Sequence, residues 1–315
     1  MDRLHELQVF VAVAESAGFA KAGKRLRLSP PAVTRAVASL EARLGTRVFQ
    51  RTTRRVSLTD AGARFLESSR RILEEIEQAE LAAAGEAAEP SGRLTLSTSM
   101  TFGRAALTPI VCDFLAAYPR VTARILLQDR VTDLVAEGID LAVRLAPLPD
   151  STFVARRLGE VRRVLIASPN YLKLHGAPRA PQELRAHTII GFSGLMPHAE
   201  YRYVEGGKAK SLALSPRLEV DDSLAAIQAV EAGHGISVAL SYQVVERLQK
   251  KCIVTLLDKY EPPGVPVHLV YPQTPLLPAK VRAFVDFAVP RLQAFLSSVE
   301  KTSRKRGARD GLTQR

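Results

Sequence analysis

The sequence predicts a small, mostly α-helical head carrying a β-hairpin, then one long connecting helix, then a larger α/β region of two similar lobes. Three observations predict it. Charge is segregated along the chain: residues 1–60 hold eleven Lys or Arg against five acids, a net of +6, residues 61–89 net −4, and the last twenty-five residues net +5. Apolar residues keep a helical period through the head and the acidic stretch, punctuated by proline and glycine signals. From Arg93 onward short apolar strands alternate with helices, the mark of α/β packing. The length of 315 residues agrees with about two domains at roughly 150 residues each. An apolar content of 46% is enough to bury a core in both.

In the head, Leu4, Leu7, Phe10, Val11 and Ala14 recur at three- and four-residue steps, so the first helix is amphipathic and ends near Gly18. Phe19 opens a short cationic helix with Lys21, Lys24 and Arg25, which stops around Leu28. Ser29 followed by Pro30 and Pro31 is a helix start: the serine oxygen can accept a free backbone N–H, and the prolines stand where no intrahelical N–H is required. The third helix then carries Val33, Ala36, Val37, Leu40 and Leu44 on one face, and Gly45 ends it. Thr34, Arg35, Ala38 and Ser39 are left on other faces. A small face bearing one Arg in the first turns suits the DNA major groove, where Pro30, Pro31 and the Thr34 methyl meet thymine methyls and Arg35 reaches guanine or phosphate. Arg47 to Leu58 reads as two short apolar pieces around a tip rich in Arg and Thr. Such a hairpin is a wing, whose guanidiniums contact phosphates or enter a narrow minor groove. Alone, each piece has a plainer reading as a solvated helix face or an ordinary basic loop. Joined in this order, they describe a winged helix-turn-helix over residues 1–60.

The run LSPPAVTRAVASLEARLGTRVFQRTTRRVSLTDAG, from Leu28 to Gly62, resembles the LysR-type transcriptional regulators. The resemblance implies that Ser29 to Arg35 begin a recognition helix and that Arg51, Thr52, Thr53, Arg54 and Arg55 form the wing. It implies double-stranded operator DNA and a small-molecule effector as partners, RNA polymerase as a further candidate, and neither a cofactor nor enzymatic activity. The family favours Ser or Thr after the Phe that opens helix two and a pair of alanines further on. This chain has Ala20 and then Ala22-Gly23, and Gly within a helix costs about 0.5–1 kcal/mol relative to Ala.

Residues 61–89 form the connecting helix, with Thr59 a candidate N-cap and no proline before about Ala88. Phe65, Ser69, Ile72, Ile76, Ala79 and Ala83 alternate steps of four and three, the seam of a coiled coil, and Leu66 and Leu73 widen it. The seam predicts a dimer, or a dimer of dimers; packing of the helix on its own domain is the alternative. The resemblance agrees with pairing, since the family's linker helix joins two protomers over two half-sites.

Residues 90–295 read as the α/β region, with lobe I over 91–162 and 268–295 and lobe II over 163–267. Strands are expected at Leu94–Thr98, Val121–Gln128, Leu141–Leu145 and Val265–Tyr271, and helices at Phe102–Tyr118, Val131–Glu137, Asp222–Ala232 and Ala279–Leu296. This is the pattern of two Rossmann-like lobes joined by crossing strands, like periplasmic solute-binding proteins and the effector domain of the family it resembles. A ligand belongs between such lobes, where strand ends meet helix N-termini. Ser97, Thr98, Ser99, Met100 and Thr101 lie at such a junction and offer hydroxyls and N–H groups to a carboxylate or other small organic anion, or serve as simple caps. The resemblance adds Asp129, Arg144, Phe192 and Asp222; Arg144 either clamps an anion or pairs with Asp129, and Asp222 either faces ligand or caps its own helix. His234 stands in a small-residue run where the family has a smaller or apolar residue.

Residues 296–315 read as a basic, disordered tail, in which the stretch from Lys301 to Arg315 lacks an apolar face. Cys112 and Cys252 sit far apart with no CxxC and no paired His, so buried free thiols are expected and no metal site. Neither a signal peptide nor a span of about 20 apolar residues is legible, so the chain is expected in the cytoplasm. An enzyme using His187 or His198 with a serine and an acid lacks a GxSxG elbow, phosphate loop, HExxH or dinucleotide fingerprint. A solute carrier would fit the two lobes but not the basic head.

Overall fold

The computed structural model describes residues 2–51, 56–83, 89–130, 133–148, 153–274 and 277–310. Two compact units emerge, one built on residues 1–92 and one on the rest, apart from the short segment 275–280 that groups with the first.

In the first unit α1 (Arg3–Ser16), α2 (Phe19–Leu26) and α3 (Pro30–Leu44) enclose a core, and β1 (Phe49–Arg51) pairs antiparallel with β2 (Val56–Leu58) before α4 (Asp60–Ala83). Asp2 caps α1 by accepting from the Leu4 N–H at 3.0 Å. Ala17 and Arg27 take left-handed conformations that end α1 and α2. Helix α2 stops at Leu26 rather than Leu28, because the Leu28 N–H turns back to the Gly23 carbonyl at 2.8 Å. Gly23 is part of that turn: a Cβ there would lie 2.8 Å from the Leu28 carbonyl oxygen. The glycine that weakens the helix on propensity alone is therefore what lets α2 reverse into α3. Val9, Phe10, Val13, Val33, Val37, Leu40 and Phe49 are all fully or nearly fully buried, and Phe10 packs at a tilt against both Phe49 and Phe65 with ring centroids 5.3 Å apart.

That packing corrects part of the seam reading. Phe65 and Leu66 belong to the head's own core, and Ser69 is wholly buried with its hydroxyl donating to the Phe65 carbonyl at 2.7 Å. The stripe turns outward only from Ile72, which is 41% exposed; Leu73 and Ile76 are half-buried and Ala79 is exposed. A narrow seam and a core-facing stripe share the same spacing over two turns, and here the near neighbour claims the first of them.

The second unit has two lobes. In lobe I, β3 (Gly92–Thr98), β4 (Val121–Leu127), β5 (Leu141–Leu145), β6 (Phe153–Val161) and the late strand β14 (Val265–Pro272) form one sheet in the order β4-β3-β5-β14-β6. Between β3 and β4 a continuous helical run covers α5 (Met100–Phe102), a π-type turn at Gly103–Leu107 and α6 (Thr108–Ala117). By length and composition this run could cross a bilayer, yet Phe102, Leu107, Val111 and Phe114 are buried here. In lobe II, β7 (Arg163–Ala167) is flanked by β12 (Ile236–Leu240) and β13 (Val254–Leu256), and β8 (Ile190–Phe192) pairs in parallel with β11 (Leu218–Val220). A bridge from Ile189 to Ile236 joins the two groups. A hairpin of β9 (Glu200–Glu205) and β10 (Lys208–Ala213) and the helices α7 (Pro169–His175), α8 (Ser223–Glu231) and α9 (Ser241–Gln249) complete it. The chain crosses between lobes twice, at β6 to β7 and at β13 to β14.

Three expectations change. Residues 133–138 form a single turn rather than a helix, because Asp133 Oδ1 accepts from Val135 and Ala136 N–H and Ile139 closes back on Leu134; residues 131 and 132 lie outside the described residues. The last helix, α10 (Ala279–Asp310), runs through the segment expected to be disordered, because Leu292, Leu296 and Val299 continue its buried face; residues 311–315 lie outside the described residues. Both cysteines are free, but Cys112 is exposed rather than buried and Cys252 is half-buried. Position 112 falls on the side of α6 opposite Val111 and Phe114.

Candidate nucleic-acid interface and ligand cleft

The exposed face of α3 is small and nearly uncharged. Ser29, Pro30, Pro31, Thr34, Arg35 and Ala38 are all exposed, whereas Val33, Ala36, Val37 and Leu40 opposite them are buried. Ser29 holds the N-cap position, but its side chain makes no capping bond. The prolines explain this: neither offers an N–H, and the Ala32 N–H donates to the Ser29 carbonyl at 2.9 Å, leaving the hydroxyl for another partner. The Thr34 hydroxyl donates to the Pro30 carbonyl at 3.0 Å, so its methyl is the group left to face a groove.

The base of the hairpin is fixed to the helices on both sides. Glu41 Oε1 accepts from the N–H groups of Val48 and Phe49 at 2.9 and 3.2 Å. On the other side the Thr59 N–H donates to the Val48 carbonyl at 3.1 Å and the Thr59 hydroxyl to the Arg47 carbonyl at 2.8 Å. The same hydroxyl oxygen accepts from Gly62 N–H at 2.9 Å, which realises the expected cap of α4. Thr52, Thr53, Arg54 and Arg55, and the side chain of Arg51, lie outside the described residues.

Two acids that sequence reasoning passed over lock this head. Glu6, only 2% exposed, accepts from the Ser39 hydroxyl at 2.6 Å and from Arg43 Nη2 at 2.9 Å, which ties α1 to α3. The Ser39 hydrogen bond, with Arg43 beside it, holds the Glu6 carboxyl below its ordinary range against the opposing effect of burial. Glu15 meets Arg25 of α2 at 2.6 Å and Arg70 of α4 at 3.1 Å. The only signal in the sequence was an acid in an otherwise basic head.

In the second unit the expected ligand residues fall into two groups. On lobe I, Ser97 and Thr98 are buried at the end of β3, Met100 N–H donates to Asp129 Oδ1 at 3.1 Å, and Arg144 follows Val143, the residue of β5 in register with Thr98. Ser99 takes the N-cap position of α5 without a side-chain capping bond. On lobe II, Phe192 is 9% exposed at the end of β8, and Asp222 Oδ1 accepts from Ala225 N–H at 2.7 Å. Asp222 is thus the cap of α8, the plainer of its two readings. The buried Thr98 hydroxyl and Gln128 Nε2 have no hydrogen-bond partner among the described residues, although the adjoining Gln128 N–H donates to the Thr98 carbonyl at 3.0 Å. Unpaired polar atoms in a buried place cost about 1–3 kcal/mol each.

Residues outside the predicted set join the groups. Thr101 Oγ1 lies 2.7 Å from Tyr242 Oη and accepts from Gln243 Nε2 at 3.0 Å. Gln243 also donates to Ser223 Oγ at 3.2 Å and takes the Leu240 N–H at 2.8 Å. Burial pushes the Tyr242 phenol above its ordinary pKa, so the hydroxyl stays protonated. Nothing in a single sequence singles out a Tyr-Gln pair at a helix start. His187 Nδ1 sits 3.3 Å from Tyr171 Oη, and burial, with His175 nearby, holds its pKa down. His198 is exposed. Among the described residues neither histidine meets a serine hydroxyl and an acid, and no group of three or more His, Cys, Asp or Glu is arranged to hold a metal ion.

Comparison with known proteins gives two matches to family descriptions: a bacterial regulatory helix-turn-helix of the lysR family over residues 4–63, and a LysR substrate-binding domain over residues 87–293. An HTH-type transcriptional regulator of Xanthomonas campestris is 33% identical over 92% of this chain and 85% of its own length. An HTH-type transcriptional repressor of Pseudomonas aeruginosa is 32% identical over the full length of both chains. Among solved structures, CrgA, a LysR-type transcriptional regulator from Neisseria meningitidis, is 29% identical with a TM-score of 0.59, covering 91% of this chain and 98% of its own.

Proposed function

The chain belongs to the LysR family and is a helix-turn-helix transcriptional regulator with an effector-binding domain, and from that premise we propose which residues carry each task. Residues 1–60 read operator DNA. Pro30, Pro31 and the Thr34 methyl form the apolar part of the reading surface, Ser29 and Arg35 its polar part, and Arg51 to Arg55 the phosphate-gripping wing. The observation that carries this assignment is the face of α3, exposed from Ser29 to Ala38 on one side and wholly buried on the other. Ile72, Leu73, Ile76 and Ala79 pair two copies through α4, which suits an interrupted palindrome. RNA polymerase is the further partner at a promoter, and the cytoplasm is where such a protein meets it.

The effector is a small organic molecule held at the ends of β3 and β4. Thr98, Ser99 and Gln128 supply hydrogen bonds, Arg144 supplies charge, and Phe192 supplies an apolar wall. Support comes from the unpaired Thr98 hydroxyl and Gln128 amide at this point. Asp129 and Asp222 have a different part, since their carboxylates hold backbone N–H groups.

Selection of binding sites from a random duplex pool by the full-length chain tests the DNA assignment. The expected product is an interrupted palindrome, and Arg35→Ala relaxes selection at one position of each half-site. Equal enrichment by wild type and by a variant lacking both Arg35 and Thr34 side chains would refute it.

A further inference from the structure

A second recess lies apart from the strand-end cleft. It encloses about 270 Å³ between the start of the lobe I helical run and helices α8 and α9 of lobe II. The Thr101, Tyr242 and Gln243 brace stands between the two places. The lining of the recess is of three kinds, polar, apolar and charged, and comes from both lobes. The floor is polar, made of the Thr101, Tyr242 and Gln243 brace, whose members are hydrogen-bonded to one another. The apolar part is Ala105 from lobe I and, from α8, Leu224 and the buried Ile227. The rim carries Arg104 from lobe I and Glu246 from lobe II. The neighbouring Arg247 is already engaged, its Nε 2.8 Å from Glu231. Arg104 and Glu246, by contrast, make no ion pair with each other or with any other of the described residues.

We propose that this recess is a second ligand site and that its occupant is a small zwitterion with an apolar body, the chemistry of an L-α-amino acid. The charges select the class. A simple carboxylate answers Arg104 but meets Glu246 with like charge, and a simple amine answers Glu246 but meets Arg104. A molecule carrying both satisfies both and leaves its side chain for Leu224 and Ile227. Size limits it further: the volume is just below the range of about 300–1,000 Å³ that holds drug-sized ligands, so a peptide does not fit. Such a ligand spans lobe I and lobe II directly over the Thr101 brace and fixes the angle between the lobes. This proposal stands whether or not the strand-end cleft binds an effector.

Calorimetric titration of the full-length chain with L-leucine and L-phenylalanine tests it, with 4-methylpentanoate and 3-methylbutylamine as analogues that lack one charge each. The amino acids are expected to bind, and each analogue to bind at least about tenfold more weakly, as the loss of one charged hydrogen-bond partner requires. Arg104→Ala, at an exposed position that leaves the fold intact, abolishes binding. Glu246→Gln makes leucine and 4-methylpentanoate bind alike. The proposal is overturned if neither amino acid binds at millimolar concentration, or if Arg104→Ala binds like wild type. It is equally overturned if Arg104→Ala acts only by changing the oligomeric state in sedimentation, which would make the recess an interface between copies.

Discussion

Gly62→Ala tests the junction between wing and connecting helix, where the head's DNA-reading geometry is set. A Cβ at position 62 would stand 2.0 Å from the Val48 carbonyl oxygen and 2.9 Å from its carbon. Neither atom can yield alone, because both are backbone at the foot of β1. Relief requires α4 and the hairpin base to part by more than an ångström, which takes the Thr59 N–H bond to Val48, now 3.1 Å, and the Thr59 hydroxyl bond to Arg47, now 2.8 Å, out of range. Two such bonds are worth about 0.5–1.5 kcal/mol each, and stranding the carbonyl of the buried Val48 adds about 1–3 kcal/mol. Against this stands about 1 kcal/mol of helix propensity gained by replacing Gly with Ala. The net loss is about 1–5 kcal/mol, or roughly 5- to 5,000-fold in the local opening equilibrium. Hydrogen exchange of the Val48, Phe49 and Thr59 amides in the full-length chain reads that factor directly. Operator affinity, read by anisotropy of labelled duplex, falls with it. Gly18→Ala is the matched control, because its nearest neighbour to a Cβ is 3.9 Å away and its backbone is extended. If Gly62→Ala exchanges at the wild-type rate at these amides, the clasp does not hold the wing and the reasoning fails.

Four further outcomes are expected. Thr34→Val keeps operator affinity within about twofold, whereas Thr34→Ser loses about 0.8 kcal/mol per half-site, the value of one buried methyl; the reverse order in a binding titration would show that the hydroxyl does the reading. Arg51→Ala and Arg54→Ala weaken binding and flatten the slope of log affinity against log salt by about one unit per lost phosphate contact and half-site, and an unchanged slope rules out the wing's phosphate role. Ile72→Glu shifts the chain toward monomer in sedimentation velocity, since this exposed residue starts the outward stripe of α4, while an unaltered dimer would place the interface elsewhere. Glu6→Gln makes the head less stable at neutral pH and removes an acid-sensitive step. The Glu6 pKa is lowered on folding, so its contribution is complete above the unfolded-state value and disappears as pH falls through the folded one; wild type and variant therefore converge in acid melts, and parallel curves would refute the linkage.

The elements of the head were legible because each is announced locally. A proline pair opens α3, Gly45 closes it, and the apolar period of every helix points to one core. What the sequence could not settle is which neighbour satisfies a given side chain. Phe65 and Leu66 carry a seam spacing, yet the partner they find is Phe10 on their own α1 rather than a second copy. Ser29 has a capping residue's identity, yet Pro31 offers no N–H and the Ala32 N–H goes to the Ser29 carbonyl instead. The same limit governs the ligand cleft. Strand ends and helix starts were readable, so residues 97–101 were placed at their junction. The Tyr242 and Gln243 brace was not readable, because 141 residues separate Thr101 from Tyr242 and only the crossing strands bring their helices together. Long-range pairing of this kind leaves no periodic trace in one chain.

The acids of the head explain how so basic a domain can be rigid. Eleven cationic side chains in sixty residues repel one another, and individual surface ion pairs contribute only about 0–1 kcal/mol. The structure spends its few acids where each fixes more than one element: Glu6 joins α1 to α3, Glu41 holds two amides at the hairpin foot, and Glu15 joins α1 to both α2 and α4. Because Glu15, the half-buried Phe65 and the buried Leu66 and Ser69 fasten the first turns of α4 to the three helices, head and early connecting helix form one body. With α4 pairing two copies as proposed above, a change in the angle between the paired helices would rotate each proposed reading face by the same amount. Glu15→Gln should leave the fold of α1–α3 intact while loosening α4 against it, so that operator spacing, rather than half-site sequence, becomes less strictly selected.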